Sequence, residues 1–417
     1  MSNFYSTGAQ FAFVDSQFGS AATSTGIKVN VPIITDIKYH KKVQVKTWWA
    51  SHGMISADTY SEGTTEETKP GTPVIRKTDF AVQKGDTIKM HQRTNLAITP
   101  SVGIVGATNQ IVNAEVGWDL NYKLVKIEQW RQAVLTVDGM NAQRSPFSES
   151  FVQTEMDLLS DWTAQVEDTG LLAALHYGWA YHLYRQYGTT NITVTANANT
   201  IYGNDTTLTT TNTIANLTGT NSDNISGLTF ELIQNYMTRI FADPVMVEGD
   251  PYWVVLISSD GKRFLYRDPE FRNAVQLGRE RGLDNPLFKY GNPLIYGNCA
   301  IFVYEKVRSV IGGNNPAGLT VSNAGAYNSS VTEAVYTGIG GGVAATSLHH
   351  TYALGANALA LAEGRMRMGE RKEDDYGQFI GRDADNIWGA TRMDWLDATG
   401  AASNNVSSAV FVNTLLA

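Results

Sequence analysis

The stretch that most constrains this chain runs from Ser145 to Gly188, where apolar residues return at helical spacing between two helix-end signals. Ser145 can cap free backbone N–H groups, Pro146 suits a first helical position whose N–H has no partner, and Gly188 stands where a helix closes on a left-handed residue. Between them Phe147, Phe151, Leu158, Trp162 and Val166 step by four and seven, and Leu171, Leu175, Trp179 and Leu183 step by four. The spacing predicts one long helix with a single buried stripe. From Val166 to Leu171 the step is five, so a kink or short break is expected at Asp168-Thr169-Gly170. A helix of ~40 residues would be ~60 Å long, more than a compact small domain is wide, and needs a flat or elongated body to lie across.

With 417 residues, 43% of them hydrophobic, the chain can build two or three domains with proper cores. No apolar run reaches the ~18–20 residues of a spanning helix, so no membrane role is expected. The start, Met1-Ser2-Asn3-Phe4, has no signal-peptide pattern, so the chain reads as one made and kept in a cytoplasm. A lone Cys299 in the apolar run Tyr296 to Val303 cannot form a disulfide within the chain and reads as a buried, inert thiol. The net charge of −8 argues against tight nucleic-acid binding, which needs clustered Lys and Arg to displace counterions from phosphate.

Taken in order, residues 1 to about 30 are small and polar with isolated aromatics, among them Phe11 and Phe13, and composition fits equally a frayed terminus and an arm anchored on another subunit. Apolar and basic residues mix from Ile27 to Trp49, and the polar stretch Ser56 to Gly71 reads as a loop or insertion. Thr87 to Arg93 alternates as a half-exposed strand, and Leu120 to Val137 forms a second strand region. The excursion between them, Ala97 to Gly117, carries Val102, Ile104, Val105, Ile111 and Val112, too apolar to stand in water alone. Beyond the long helix, Thr189 to Ser226 is rich in Thr and Asn and reads as a surface insertion of short strands. A helix is expected at about Thr229 to Ala242, a buried strand at Tyr252 to Ile257, helix-prone sequence from Ser259 to Arg281, and a strand around Ile301-Phe302-Val303. A further helix is expected at about Thr351 to Arg365, with Leu354, Ala358, Leu361 and Ala362 as its apolar face, then a strand near Ile387-Trp388-Gly389 and an apolar terminal piece, Val410 to Leu416.

Chemistry is sparse. Gly338 to Gly342 lacks both the third glycine of a dinucleotide loop and the Lys-Ser/Thr of a phosphate loop, and reads as a connector. His349 and His350 are adjacent and point in different directions, which suits capping or surface roles better than a metal. Asp374, Asp375, Asp383 and Asp385 interleave with Arg371, Lys372 and Arg382 as a charge network, and paired carboxylates such as Glu149 and Asp168 leave room for a glycosidase reading although both sit on a helix that looks structural. No nucleophile, base and orienter come together, so no catalytic residue, cofactor or metal is expected.

Met140 to Phe147, followed by Leu158-Leu159-Ser160-Asp161-Trp162 and Asp168, resembles the run leading into the spine helix of the major capsid proteins of the phage N-four type. Three later passages resemble the same family, in the same order. They are Ile257 to Asp260 with Asp268 to Ala274, Asn285 to Phe288 and Gly291 ahead of Cys299 to Tyr304; Ala353 to Leu359 with Ala362-Glu363-Gly364; and Asp375-Tyr376-Gly377 to Ile387-Trp388-Gly389. The resemblance covers most of 80–185 and 230–395, and departs at the stretch 56–71, the insertion 189–226 and the N-terminus.

It implies an α+β fold of the Hong Kong 97 type. The parts would be an N-terminal arm at 1–45, an extended loop and first peripheral strands at 46–144, a spine helix at 145–188, the insertion at 189–228, an axial domain at 229–345, and a C-terminal helix with return strands at 346–417. The function implied is a major capsid protein that self-associates through pentamers and hexamers into a virion shell, assembled in the host cytoplasm around double-stranded DNA it does not read. Portal, scaffold or decoration proteins are the implied partners. On this reading the tip residues Val102, Ile104, Val105, Ile111 and Val112, with Phe11 and Phe13 of the arm, meet a neighbouring subunit. Two alternatives stay open: a bacterial nanocompartment shell, and a carbohydrate-binding or adhesive protein resting on the aromatic count and the Thr/Asn stretch.

Overall fold

The computed structural model describes residues 39, 41–43, 45–59, 71–77, 87–93, 120–137, 151–178, 200–204, 224–240, 242–247, 250–280, 288–289, 293–305, 348–370, 379–394 and 407–414. Two compact units divide the chain. One gathers 1–52, 129–168 and 364–388; the other gathers 53–128, 169–363 and 389–417.

The larger unit holds an eight-stranded sheet, whose strands are β6 (Thr200–Tyr202), β7 (Val245–Val247), β8 (Asp250–Ile257), β9 (Phe288–Lys289), β10 (Leu294–Tyr296), β11 (Cys299–Val303), β12 (Leu348–Leu354) and β15 (Ser408–Thr414). Their order is β6-β15-β12-β8-β11-β10-β9, with β7 beside β8. β8 and β11 run parallel from Cys299↔Trp253 to Val303↔Ile257, and two helices fall in the chain between them: α4 (Ser259–Leu265) and α5 (Pro269–Glu280). Helix α3 (Gly227–Arg239) comes before β7. Every second residue of β8, Trp253, Val255 and Ile257, joins Phe230, Ile233 and Tyr236 of α3, Phe264 of α4, Phe271 of α5 and Phe411 of β15 in one core. β10 turns into β11 through Gly297-Asn298, with Gly297 at φ +58, the conformation a two-residue hairpin asks of its first turn residue.

The C-terminal helix expected at 351–365 is not a helix. The chain there is β12, a turn in which Asn357 adopts φ +59, and β13 (Leu359–Glu370). Every residue from His349 to Glu363 is buried. A strand covered on both faces loses its alternation and reads as a continuous apolar run, so the four-residue spacing of its Leu and Ala mimicked an amphipathic helix. At the turn Gly355 N–H donates to the Ser407 carbonyl, and a Cβ there would lie 2.4 Å from the Asp243 carbonyl oxygen. A second, five-stranded sheet has the order β1-β2-β13-β14-β5, from β1 (Ile55–Thr59), β2 (Val74–Lys77), β14 (Phe379–Arg392) and β5 (Glu128–Val137). β1 occupies the start of the stretch expected to be a loop.

The long helix, α2, spans Phe151–Tyr177. It ends at Tyr177, eleven residues before Gly188, and Gly178, whose φ is +92, is the true left-handed terminator. Nor does it break at Asp168-Thr169-Gly170. Over 155–167 it is covered on one side, whereas Leu171, Leu172, Ala173, Ala174 and Leu175 are all fully buried. The slip in period therefore marks a change from one-sided to all-round burial and not a kink. Leu158, placed on the apolar stripe by spacing, is 53% exposed, while Met156 and Leu159 face inward. At the C-terminal end of α2 Arg392 donates to the Leu175 carbonyl at 3.1 Å and pairs with Asp394, placing a buried cation where the helix dipole is negative.

Candidate functional site

Among the described residues no group of His, Cys, Asp and Glu could hold a metal, and the candidate catalytic groups are engaged in structure. Asp168 accepts the backbone N–H groups of Trp48 and Trp49, capping the short helix α1 (Trp48–Ser51). Glu149 and the 338–342 loop lie outside the described residues, as do Asp374 and Asp375. Asp383 accepts from Arg131 and Asp385 from Gln129. Cys299 is fully buried, and burial pushes its thiol up to about 12, far from a reactive thiolate. His349 and His350 are buried in β12, so the surface role fails, but capping holds: the His349 ring braces Ser258, the N-cap of α4.

What the structure does assemble is a frame of helix attachments. In the smaller unit, residues 39, 41–43 and 45–46 are helical and pack along α2. Lys42 Nζ reaches Asp157 at 2.6 Å and Lys46 Nζ reaches Asp161 at 2.7 Å. The Tyr39 hydroxyl meets Thr163 Oγ1, to which Asn386 Nδ2 also donates. Tyr39 and Val43 bury against Met156 and Leu159. Trp130 stacks on Trp388 at 5.0 Å, and its indole N–H donates to the Trp388 carbonyl. Composition marked 39–49 as mixed apolar and basic; pairing those lysines with the acids of α2 needs the fold.

In the larger unit, β3 (Thr87–Arg93) pairs antiparallel with β4 (Leu120–Lys126) from Thr87↔Lys126 to Arg93↔Leu120. Ile88, Met90 and Val125 face a core with Ile75 and Met393. The strands of the expected hairpin are therefore present and in register over Thr87–Arg93 and Leu120–Lys126, while the rest of the expected second strand, Glu128–Val137, is β5 and pairs in the five-stranded sheet instead. Val102, Ile104, Val105, Ile111 and Val112 belong to the connection between them, outside the described residues, as do Phe11 and Phe13.

The Thr/Asn stretch is not wholly a surface insertion. Ile201 is fully buried in β6, which pairs with β15, and Asn204 Nδ2 donates to the Asn224 carbonyl at 2.9 Å. That bond ties together the two ends of the segment 205–223, which itself lies outside the described residues.

A model of the phage capsid protein family matches residues 36–414. The chain belongs to that family. Solved structures agree on the fold: the capsid of Ralstonia phage GP4 aligns with a TM-score of 0.59 at 17% identity, over 89% of this chain and 92% of that one. The head structure of Helicobacter pylori bacteriophage KHP40 gives 0.56 at 12% identity, over 88% and 92%. The cyanophage Pam1 capsid gives 0.55 at 14% identity, over 86% and 96%. No curated protein matches. The fold is thus the α+β capsid fold of the Hong Kong 97 type, and this family member is a major capsid protein, a virion component whose copies build a shell. Nothing in these matches favours a nanocompartment shell or a carbohydrate-binding protein. Among the described residues no helix is long and apolar enough to cross a membrane.

Proposed function

We propose that this capsid protein closes through pentamers and hexamers into an icosahedral shell around the double-stranded DNA of a tailed phage. Assembly takes place in the host cytoplasm, with portal, scaffold or decoration proteins as partners and without catalysis by the chain itself. The match of a capsid family model over 36–414 carries this reading. The succession along the chain of a paired hairpin, β3 and β4, and then a 27-residue helix supports it. Rings form because each subunit offers one surface to a different surface of the next. The net charge of −8 suits a wall that confines DNA without gripping it.

The neighbour-facing residues are proposed to be Val102, Ile104, Val105, Ile111 and Val112 at the hairpin tip and Phe11 and Phe13 in the arm. Electron microscopy and sedimentation of the full chain, expressed alone and with the adjacent phage genes, test the shell. Uniform hollow particles tens of nanometres across are expected; small discrete oligomers under both conditions overturn it. V102D/I104D then tests the tip: a soluble, folded subunit that forms no shell is expected, and normal shells would remove the tip from the interface.

A further inference from the structure

Ser258 sits between the end of β8 and the first turn of α4, and its N–H and its Oγ both meet one ring while its carbonyl accepts the Lys262 N–H. The Ser258 N–H donates to His349 Nε2 at 3.2 Å, and the Ser258 Oγ lies 2.9 Å from the same nitrogen. Oγ also accepts the Gly261 N–H at 3.2 Å, the capping bond of α4. With Nε2 accepting the Ser258 N–H, Oγ can lie against the same nitrogen only with its own proton forward. That nitrogen must be bare and the ring proton must sit on Nδ1, which faces Thr351 Oγ1 at 3.3 Å. The ring is also wedged: a Cβ added to Gly261 would lie 2.4 Å from Nε2.

We propose that this contact is an acid-opened latch, in which protonation of His349 at Nε2 releases the N-terminal turn of α4 from the eight-stranded sheet. A proton on Nε2 sets a donor against the Ser258 N–H and leaves that buried N–H without its acceptor. Oγ can swing its own proton aside and accept from both Nε2 and Gly261, but this does nothing for the N–H, so the backbone at the first turn of α4 must move away. Water cannot help, because His349 and Ser258 are 3% and 2% exposed.

Around the ring the charged groups are few. Asp260 on α4 favours the imidazolium, Glu305 after β11 is bonded to the Ser259 hydroxyl, and Lys262 and Arg263 follow on α4. On β12 the neighbour is His350, and on β15 the residue in register is the uncharged Asn413. Burial outweighs Asp260 and pushes the ring down to about 4. A folded-state value below the free one of ~6.5 means that the latch is fully closed above that pH, weakens as the opened form takes up a proton, and is lost on passing through about 4. Because it lies within one subunit, the latch operates in whatever shell the subunit builds.

Hydrogen exchange of the full chain between pH 7 and pH 4, corrected for the intrinsic rate, reads the latch directly. Opening at 259–265 should rise by about tenfold per pH unit below the free-histidine value while 227–239 stays protected, and H349Q, whose amide oxygen accepts but never titrates, should remove the slope. The same slope in H349Q, or equal loss in both helices, overturns the proposal. Should H349Q not fold, exchange of the His349 C2 hydrogen in the native chain decides. An inflection near pH 4 is expected, and one near 6.5 is fatal to the latch.

Discussion

Each of the two units is held together internally by its own balance of forces. In the smaller one the N-terminal segment is laced to α2 by a few buried groups, Tyr39 and Val43 against Met156 and Leu159, and by ion pairs that still touch water: Lys42 and Asp157 keep 28% and 44% of their side-chain surface exposed. In the larger one the sheet and its helices join through a core of buried side chains, among them Phe230, Tyr236, Phe271 and Phe411. Burial of apolar area carries most of a domain's stability and ignores salt, whereas half-wet ion pairs add little and are screened. The comparison teaches that one unit is a fixed body throughout, whereas in the other the ion pairs along α2 add to its buried contacts a part that ionic strength and pH can adjust.

The largest effect should come from the fixed body. Phe411 is fully buried and meets Tyr236 edge to face at 6.0 Å. F411A should cost about 3–5 kcal/mol, unchanged between low and high salt, in denaturant unfolding of the dissociated subunit. A loss below 1 kcal/mol would mean that the sheet repacks and the contrast between the units is wrong. Next in size is Asp268, which caps two helices at once. Oδ2 accepts the Gly227 N–H of α3 at 2.7 Å and Oδ1 accepts the Glu270 N–H of α5 at 3.1 Å. D268A should cost about 2 kcal/mol. D268N should cost roughly half as much, because an amide has one accepting oxygen where the carboxylate has two. Equal costs would show that only one of the two caps matters.

Elements whose signals are local were legible in the sequence. Strand alternation placed β3 where it stands, and the apolar run Tyr252 to Ile257 became β8. The helix-prone sequence from Ser259 to Arg281 became α4 and α5. What failed depends on surroundings. Leu158 and Leu159 are the same residue type one position apart, and only the tertiary context sends the first outward and the second in. The run at 351–363 became strand because both of its faces are covered, which no period reports. Of the candidate site, the hairpin strands were readable because they pair with each other across one connection. The Lys42–Asp157, Tyr39–Thr163 and His349–Ser258 contacts join residues 91 or more positions apart and leave no trace in local pattern.

The smallest expected effect tests the laced side of the comparison. The hydrogen bond from Lys42, together with the charges of Lys42 and Lys46, holds the Asp157 carboxyl below its usual range against a smaller opposing effect of desolvation. A carboxylate whose folded value is depressed stabilises the fold fully above its unfolded value and stops doing so as pH falls through the folded one. The contribution is therefore present at neutral pH and disappears below about pH 4. Because the pair is half-wet, D157N should cost under about 1 kcal/mol at low salt. Near 1 M salt, where the Debye length is ~3 Å, the cost should fall toward nothing. A double-mutant cycle of D157N with K42M, read by exchange protection of residues 41–51 at two salt concentrations, measures the coupling itself. Coupling that persists unchanged in high salt would show that the contact is held as a dry hydrogen bond. The lacing would then belong with the fixed body, and the attachment along α2 would lose its salt control.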